Sequence, residues 1–456
     1  MKTWIPISLA FFLSAGSMFG QAAPDAASAP TSAPTSSPTS APTSSPTPSA
    51  STSSPLSWAD GTVHYSLSAS EIVQYGYYNA GSTTSSTALS GLLGYSSLSE
   101  VHPTTLLFAT GVVFGQGGQG TTTYQNFAIT QSLIKGRWNF NVTDSFSFLP
   151  QSPVTGVAGV PGINNPGIDG PSQGPAGGVL TFSGNRISNL VSGMVERDLT
   201  ARTSLSGTGS WTVLHFLDKD AGLDTSTTSG QVGINHRFDS RNTGSVSAVY
   251  STFNTVNFFG LFPPGFPLNE ITYQTKGVNV SYSRLWTRSL STSFSGGPLW
   301  IQSSAAPLIP NQLNFSLTGS VNYNRRLTSY SVMYSHGVSG GSGVQPGALS
   351  DNINASVRRT FNKQWAASAT MYYTRSSGLV TSLPGVGTTN NTLNTEYGTL
   401  QVTRGFTRTI SGYASYTAQN QSVPAGFYGS NAFNGLSHIF ALGVTWSPQS
   451  NRLGDF

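Results

Sequence analysis

The chain contains no cysteine, which excludes a disulfide framework, a thiolate metal site and a lipidated N-terminal cysteine. Charge is scarce as well. Asp, Glu, Lys and Arg make up 8% of the 456 residues, about a third of the share in a soluble globular domain. Outside the N-terminus no run of about 18 apolar residues exists, so no transmembrane helix is available. No Lys/Arg cluster is longer than two residues, and no GxGxxG opens a helix. The formal charge of +5 is therefore spread over turns rather than gathered into a nucleic-acid patch. His64, His102, His215, His236, His336 and His438 show no i, i+2 or i, i+4 ligand spacing. Nothing in the sequence calls for a metal or a cofactor.

What is present is a rhythm. Six short basic turns, centred near Leu199, Asp239, Trp286, Leu327, Phe361 and Phe406, each lie between stretches in which apolar and small polar side chains alternate. Longer Gly, Pro, Asn and Ser-rich connections separate one such unit from the next. Short turn, strand, long loop, strand is the pattern of a barrel with short periplasmic turns and long outer loops. The alternation is clean near 313–323, where Leu313, Phe315, Leu317, Val321 and Tyr323 oppose Asn314, Ser316, Thr318, Ser320 and Asn322. The apolar set is expected to face lipid, with terminal rings such as Tyr323 and Trp446 in the interfacial girdles.

The strands pair as hairpins: 62–78 with 86–99, 103–114 with 121–134, 137–149 with 187–198, 202–216 with 227–238 and 241–256 with 270–284. Then come 288–301 with 311–324, 327–338 with 348–360, 363–376 with 393–405 and 409–420 with 435–447. The fold class is all-β: a transmembrane antiparallel up-and-down β-barrel of about 18 strands, or 16 if one weak hairpin dissolves. It is expected to fill residues 58–456. Residues 1–22 read as a signal peptide, with Lys2, an apolar core from Ile5 to Phe19, and small residues at Gly20-Gln21-Ala22. Residues 23–57 read as a disordered Pro/Ser/Thr/Ala-rich linker, because repeated proline removes donors and Ser/Thr offer nothing to bury. Fully extended, it reaches on the order of 100 Å, enough for a periplasmic or peptidoglycan contact.

Thr143 to Pro150 (TDSFSFLP), the basic turns and the closing HIFALGVTWSPQSNRLGDF resemble the uncharacterised, porin-like outer-membrane β-barrel proteins of Gram-negative bacteria. The resemblance implies residence in that membrane and a last strand read by the outer-membrane insertion machinery. It also implies a porin-like or export role. The strand ends near Trp446, so the terminal aromatic Phe456 is expected to lie beyond it.

Two carboxylates break the alternation: Asp144 shares parity with Phe140, Val142 and Phe146, and Glu71 with Leu67, Val73 and Tyr75. A charge facing hydrocarbon near the midplane costs a few kcal/mol. Either a β-bulge turns each group into the lumen, where it contributes to a constriction, or the strand is offset and the group stands at the aqueous rim. Glu196 falls on the polar parity near a short turn, as a lumen group or a solvated turn charge. The loop from about 151 to 185 is the longest, and it either narrows the pore or forms an outer flap.

The sequence thus points to a non-enzymatic outer-membrane channel for passive diffusion of small polar, neutral solutes. The alternative is a barrel component of an exopolysaccharide export or envelope-anchoring assembly. Expected partners are outer-membrane lipid, the insertion machinery and the solutes, and no nucleic acid.

Overall fold

The computed structural model describes residues 61–76, 82–97, 99, 101–115, 120–150, 185–217, 222–256, 270–304, 308–340, 344–380, 382–383, 387–388, 391–424, 433–449 and 451–453. The signal-peptide and linker segments, the loop at 151–184 and Phe456 lie outside them.

Strands β1 (Gly61–Tyr75), β2 (Thr83–Ser97), β3 (Thr104–Gly115), β4 (Thr121–Lys135), β5 (Trp138–Pro150) and β6 (Asn185–Asp198) follow one another as antiparallel neighbours. The ladder continues through β7 (Thr203–Phe216), β8 (Asp224–Arg237), β9 (Asn242–Val256), β10 (Glu270–Thr287), β11 (Leu290–Ser303) and β12 (Gln312–Arg325). It runs on through β13 (Thr328–Ser339), β14 (Ala348–Thr360) and β15 (Trp365–Gly378). A small hairpin, β16 (Ser382–Leu383) with β17 (Gly387–Thr388), sits in the next long loop. Then come β18 (Thr392–Gly405), β19 (Ile410–Ser422) and β20 (Gly435–Trp446).

Strand β20 pairs with β1 from Leu67↔Trp446 to Tyr75↔His438, which closes the sheet. Eighteen long strands therefore form one closed, antiparallel, up-and-down barrel, and the sixteen-strand alternative is not needed. Beyond Trp446 the chain rejoins the ladder. The last long strand ends at Trp446, as expected, and the short piece Asn451–Leu453, which the sequence did not mark, forms β21 against Gly61–Val63.

Period-two alternation decides the two faces. Leu67, Leu93, Val142, Val232, Phe294, Phe315 and Leu442 point away from the barrel and are exposed, forming an apolar outer band. A strand of 14 residues, such as β12, tilted by about 40°, rises roughly 35 Å, more than the apolar band of about 25 Å. The strand ends therefore stand clear of hydrocarbon on both sides.

The short turns have a shared chemistry. Leu199-Thr200, Phe238-Asp239, Phe361-Asn362 and Phe406-Thr407 each place an apolar residue before a capping one. Thr200 Oγ1 accepts from the Arg202 and Thr203 amides, Asp239 Oδ1 from Arg241 and Asn242, and Asn362 Oδ1 from Gln364 and Trp365. Thr407 Oγ1 accepts likewise from Thr409 and Ile410. Ser/Thr and Asx turns of this kind satisfy the amides that the reversal frees, and so fix the hairpin register.

Candidate permeation path

The inner wall changes character along the barrel axis. Toward the short turns it is hydroxyl and amide, and most of its side chains are half-exposed, with Ser204 and Ser247 buried. Ser210 and Ser229 lie 2.6 Å apart, Ser245 and Ser281 2.6 Å, and Ser293 and Ser320 2.7 Å. Gln231 Nε2 donates to Ser247 Oγ at 2.8 Å, and Asn141 Nδ2 to Ser132 Oγ at 2.8 Å. Each hydroxyl bonded across the ladder keeps a second lone pair that water or a polar solute can engage. Among the described residues the middle of the inner wall carries no charged side chain. Charges on the inward parity stand at its ends: Arg186 near the long loops, and Glu196, Asp198, Arg237 and Arg358 near the short turns.

Toward the long loops the interior is packed. Ile271, Tyr273 and Ile301 point inward and are buried with Phe253 and Leu299, against Leu308 and Ile309 from one loop and Leu379 and Val380 from another. A second inward cluster joins Ile72, Ala88, Val113 and Tyr124 to Tyr413, Ile439 and Ala441 across the closing seam. The apolar set of the alternating strands faces outward as expected, Leu313 and Phe315 among it, but in this half the inner wall carries apolar side chains as well. The physical reason is that loops folded into the lumen offer the inner wall an apolar partner, so both faces of the strand can be apolar. The signal was there in runs such as Leu299-Trp300-Ile301, where both parities are apolar.

The connection between β13 and β14 folds into this space. Tyr273 Oη donates to the Ser339 carbonyl at 2.7 Å, and Thr255 Oγ1 to the Pro346 carbonyl at 3.2 Å, pinning both ends of the loop to the β9–β10 wall. Gln345, buried, ties the loop to the neighbouring wall at β15 and the start of β18: its Oε1 accepts from Ser376 Oγ at 2.8 Å and its Nε2 donates to the Asn391 carbonyl. Gly347 has φ +149° and sits so close to Tyr273 that a Cβ would lie 2.6 Å from the phenol oxygen. This loop narrows the path. The loop at 151–185, singled out in the sequence, falls almost wholly outside the described residues.

The three carboxylates marked in the sequence are not brought together. The ladder passes Glu71 (opposite Thr87 and Leu442) and Asp144 (opposite Ile129 and Val191) without a register shift, so no bulge is present at either. Both stand on the outward parity. Thr87 Oγ1 donates to Glu71 at 2.7 Å, and Asn189 Nδ2 to Asp144 at 3.2 Å. Glu196 stands on the inward parity near the short turns and accepts from Ser204 Oγ at 2.5 Å.

Other outward polar groups escaped the sequence reading. His336 Nδ1 lies 2.7 Å from Asp351, which also accepts from Tyr334 Oη at 2.8 Å, and His215 pairs likewise with Asp224 at 2.7 Å. Nearby, Arg375, Thr392, Asn394 and Ser422 line a shallow cavity of about 380 Å³ on the outer wall, off the path. These groups meet only through strand pairing, which spacing along the chain does not reveal. Among the described residues no group of three or more His, Cys, Asp or Glu is placed to hold a metal.

No protein-family model matches the chain, and no curated protein does. Solved structures of similar shape include Pseudomonas aeruginosa OccK2 (OpdF) in complex with glucuronate, at 9% identity and TM-score 0.39, covering 85% of this chain and 98% of that one. P. aeruginosa OpdK with vanillate is similar at 8% identity and TM-score 0.40, covering 86% and 99%. P. aeruginosa OprD is similar at 9% identity and TM-score 0.37, covering 86% and 95%. Likeness this low assigns neither substrate nor mechanism to this chain.

Proposed function

We propose that the protein is a porin-like channel of a Gram-negative outer membrane, passing small polar, neutral solutes by passive diffusion. The observation that carries this reading is the inner wall: hydroxyls and amides line it, and its middle third has no charge among the described residues. A wall of that kind selects by size and by hydrogen bonding, because it offers no fixed field to favour either ion sign. Eighteen strands leave room for an aqueous path beside the loop that folds into it. Glu196 and the cations near the short turns act at the mouth rather than at the narrowest point. No chemistry on a substrate is invoked.

The test is single-channel conductance of the refolded mature protein in a planar bilayer. The expected result is a steady conductance with little preference between K⁺ and Cl⁻, blocked in a concentration-dependent way by an uncharged oligosaccharide. A barrel that is folded but electrically silent would overturn the channel and favour the export or anchoring role. Strong ion selectivity would overturn the neutral-solute part alone.

A further inference from the structure

Arginines recur on the lipid-facing parity at the turn ends of four hairpins: Arg197 on β6, Arg284 on β10, Arg359 on β14 and Arg404 on β18. Arg197, Arg284 and Arg359 lie four strands apart around the barrel, roughly 20 Å along the rim, and Arg404 lies two strands beyond Arg359, roughly 10 Å. Each guanidinium covers an aromatic ring at the level where the outer band ends. Arg197 lies 5.0 Å from the Trp138 centroid, Arg284 4.0 Å from Trp286, and Arg359 5.5 Å from Phe361. Arg404 lies between two rings, 5.1 Å from Trp365 and 5.6 Å from Phe406. The rings point away from the barrel and are exposed by 38–56%. At Trp286 the ladder register shifts between Leu285 and Thr287, so Trp286 stands at an irregularity of the strand end.

These cations have few acids near them, and Asp239, which feels the charge of Arg284, makes no ion pair with it. Among the described residues no carboxylate forms a salt bridge with any of the four, and Arg284 Nε is buried without an acceptor. Most of the chain's 21 Lys and Arg lie in or beside the short turns, whereas Glu196, Asp198 and Asp239 are the described carboxylates there. An arginine at the edge of hydrocarbon, with its planar face spent on a ring, keeps N–H donors along its edge that the ring does not use. That edge fits the oxygens of a phosphate in bidentate fashion. The ring beneath it supplies a wedge that rests in the interfacial layer.

We propose that this rim is a belt of headgroup sites for anionic phospholipid in the leaflet on the short-turn side, one phosphate to each arginine–aromatic pair. The inference rests on the reading of the barrel as membrane-embedded. It goes beyond that reading by assigning a headgroup preference and the residues that set it. The belt anchors the barrel vertically and orients it, because the long-loop end has no equivalent run of ring-stacked arginines among the described residues.

The experiment is electron spin resonance of spin-labelled phosphatidylglycerol and spin-labelled phosphatidylcholine in phosphatidylcholine vesicles holding the refolded chain. The motionally restricted fraction is expected to favour phosphatidylglycerol about threefold to fivefold at low salt. The excess should collapse toward unity at 1 M NaCl, where the Debye length is about 3 Å. It should also vanish in the R197Q/R284Q/R359Q/R404Q variant and survive in part when the same four are lysine. Equal restriction of both lipids by the unaltered chain overturns the proposal, as does an excess that persists in the glutamine variant. The salt titration needs no variant, so a misfolded variant does not spoil the test. Sedimentation with purified peptidoglycan, lost in the glutamine variant while no lipid preference exists, also overturns it and reassigns the rim. Failure to form a heat-modifiable barrel in phosphatidylcholine vesicles would overturn the membrane reading itself. Insertion without lipid preference would sink this inference alone.

Discussion

Gly111 shows how closely single positions on the inner wall are determined. The Tyr124 ring lies over it, and a Cβ there would come 2.2 Å from the phenol oxygen. Gly111→Ala is expected to displace the ring and destabilise the barrel by about 1–3 kcal/mol, read as a lower urea midpoint with an unchanged slope. Asp239 is a case in which charge matters. Hydrogen bonds from the Asn242 side chain and the Arg241 amide hold its carboxyl below the ordinary value of 3.8. Because the folded value is the lower one, its contribution is complete above the unfolded value and fades as pH falls through the folded one. Asp239→Ala should therefore be less stable than the parent at pH 7, with the difference closing as both are acidified below about pH 4. At this scale the sequence disclosed parity and little else. Asp144 and Glu71 could be seen to lie among apolar neighbours, but their donors, Asn189 and Thr87, belong to adjoining strands that only the ladder register brings near.

Elements were the most legible level. Alternation and turn chemistry are both local, so a hairpin such as 327–338 with 348–360 could be placed within a residue or two of β13 and β14. The loop joining that same hairpin was opaque. GGSGVQPG reads like any other flexible connection, and nothing in it announces that Pro346 meets Thr255 or that Gln345 meets Ser376. Its fold depends on partners far away in the chain. Because Gly347 combines φ +149° with contact against Tyr273, Gly347→Val should expel the loop from the wall. The expected outcome is a larger and noisier single-channel conductance with unaltered strand content by circular dichroism. An unchanged conductance would show that the loop does not limit flow.

For the whole molecule, the closed sheet was legible because eighteen alternating segments without an edge problem have one economical arrangement. What stayed hidden was how the lumen is filled, since that depends on contacts between loops. Among the described residues the wall begins at Gly61 and seals on β20 and β21, so no described contact needs the upstream linker. Removing residues 23–57 should leave both heat-modifiable migration and conductance as they are; loss of either would give the linker a structural role. The seam itself has a further consequence for biogenesis. Ser68 meets Thr445 and Gln74 meets Ser437, contacts separated by 377 and 363 positions, so the first strand made waits for the last one translated. A ribosome that stops early, or a protease that trims the C-terminus, releases a ribbon with two bare edges that no rearrangement can hide. Premature stop codons near the end of the gene should thus be as damaging as those near its start.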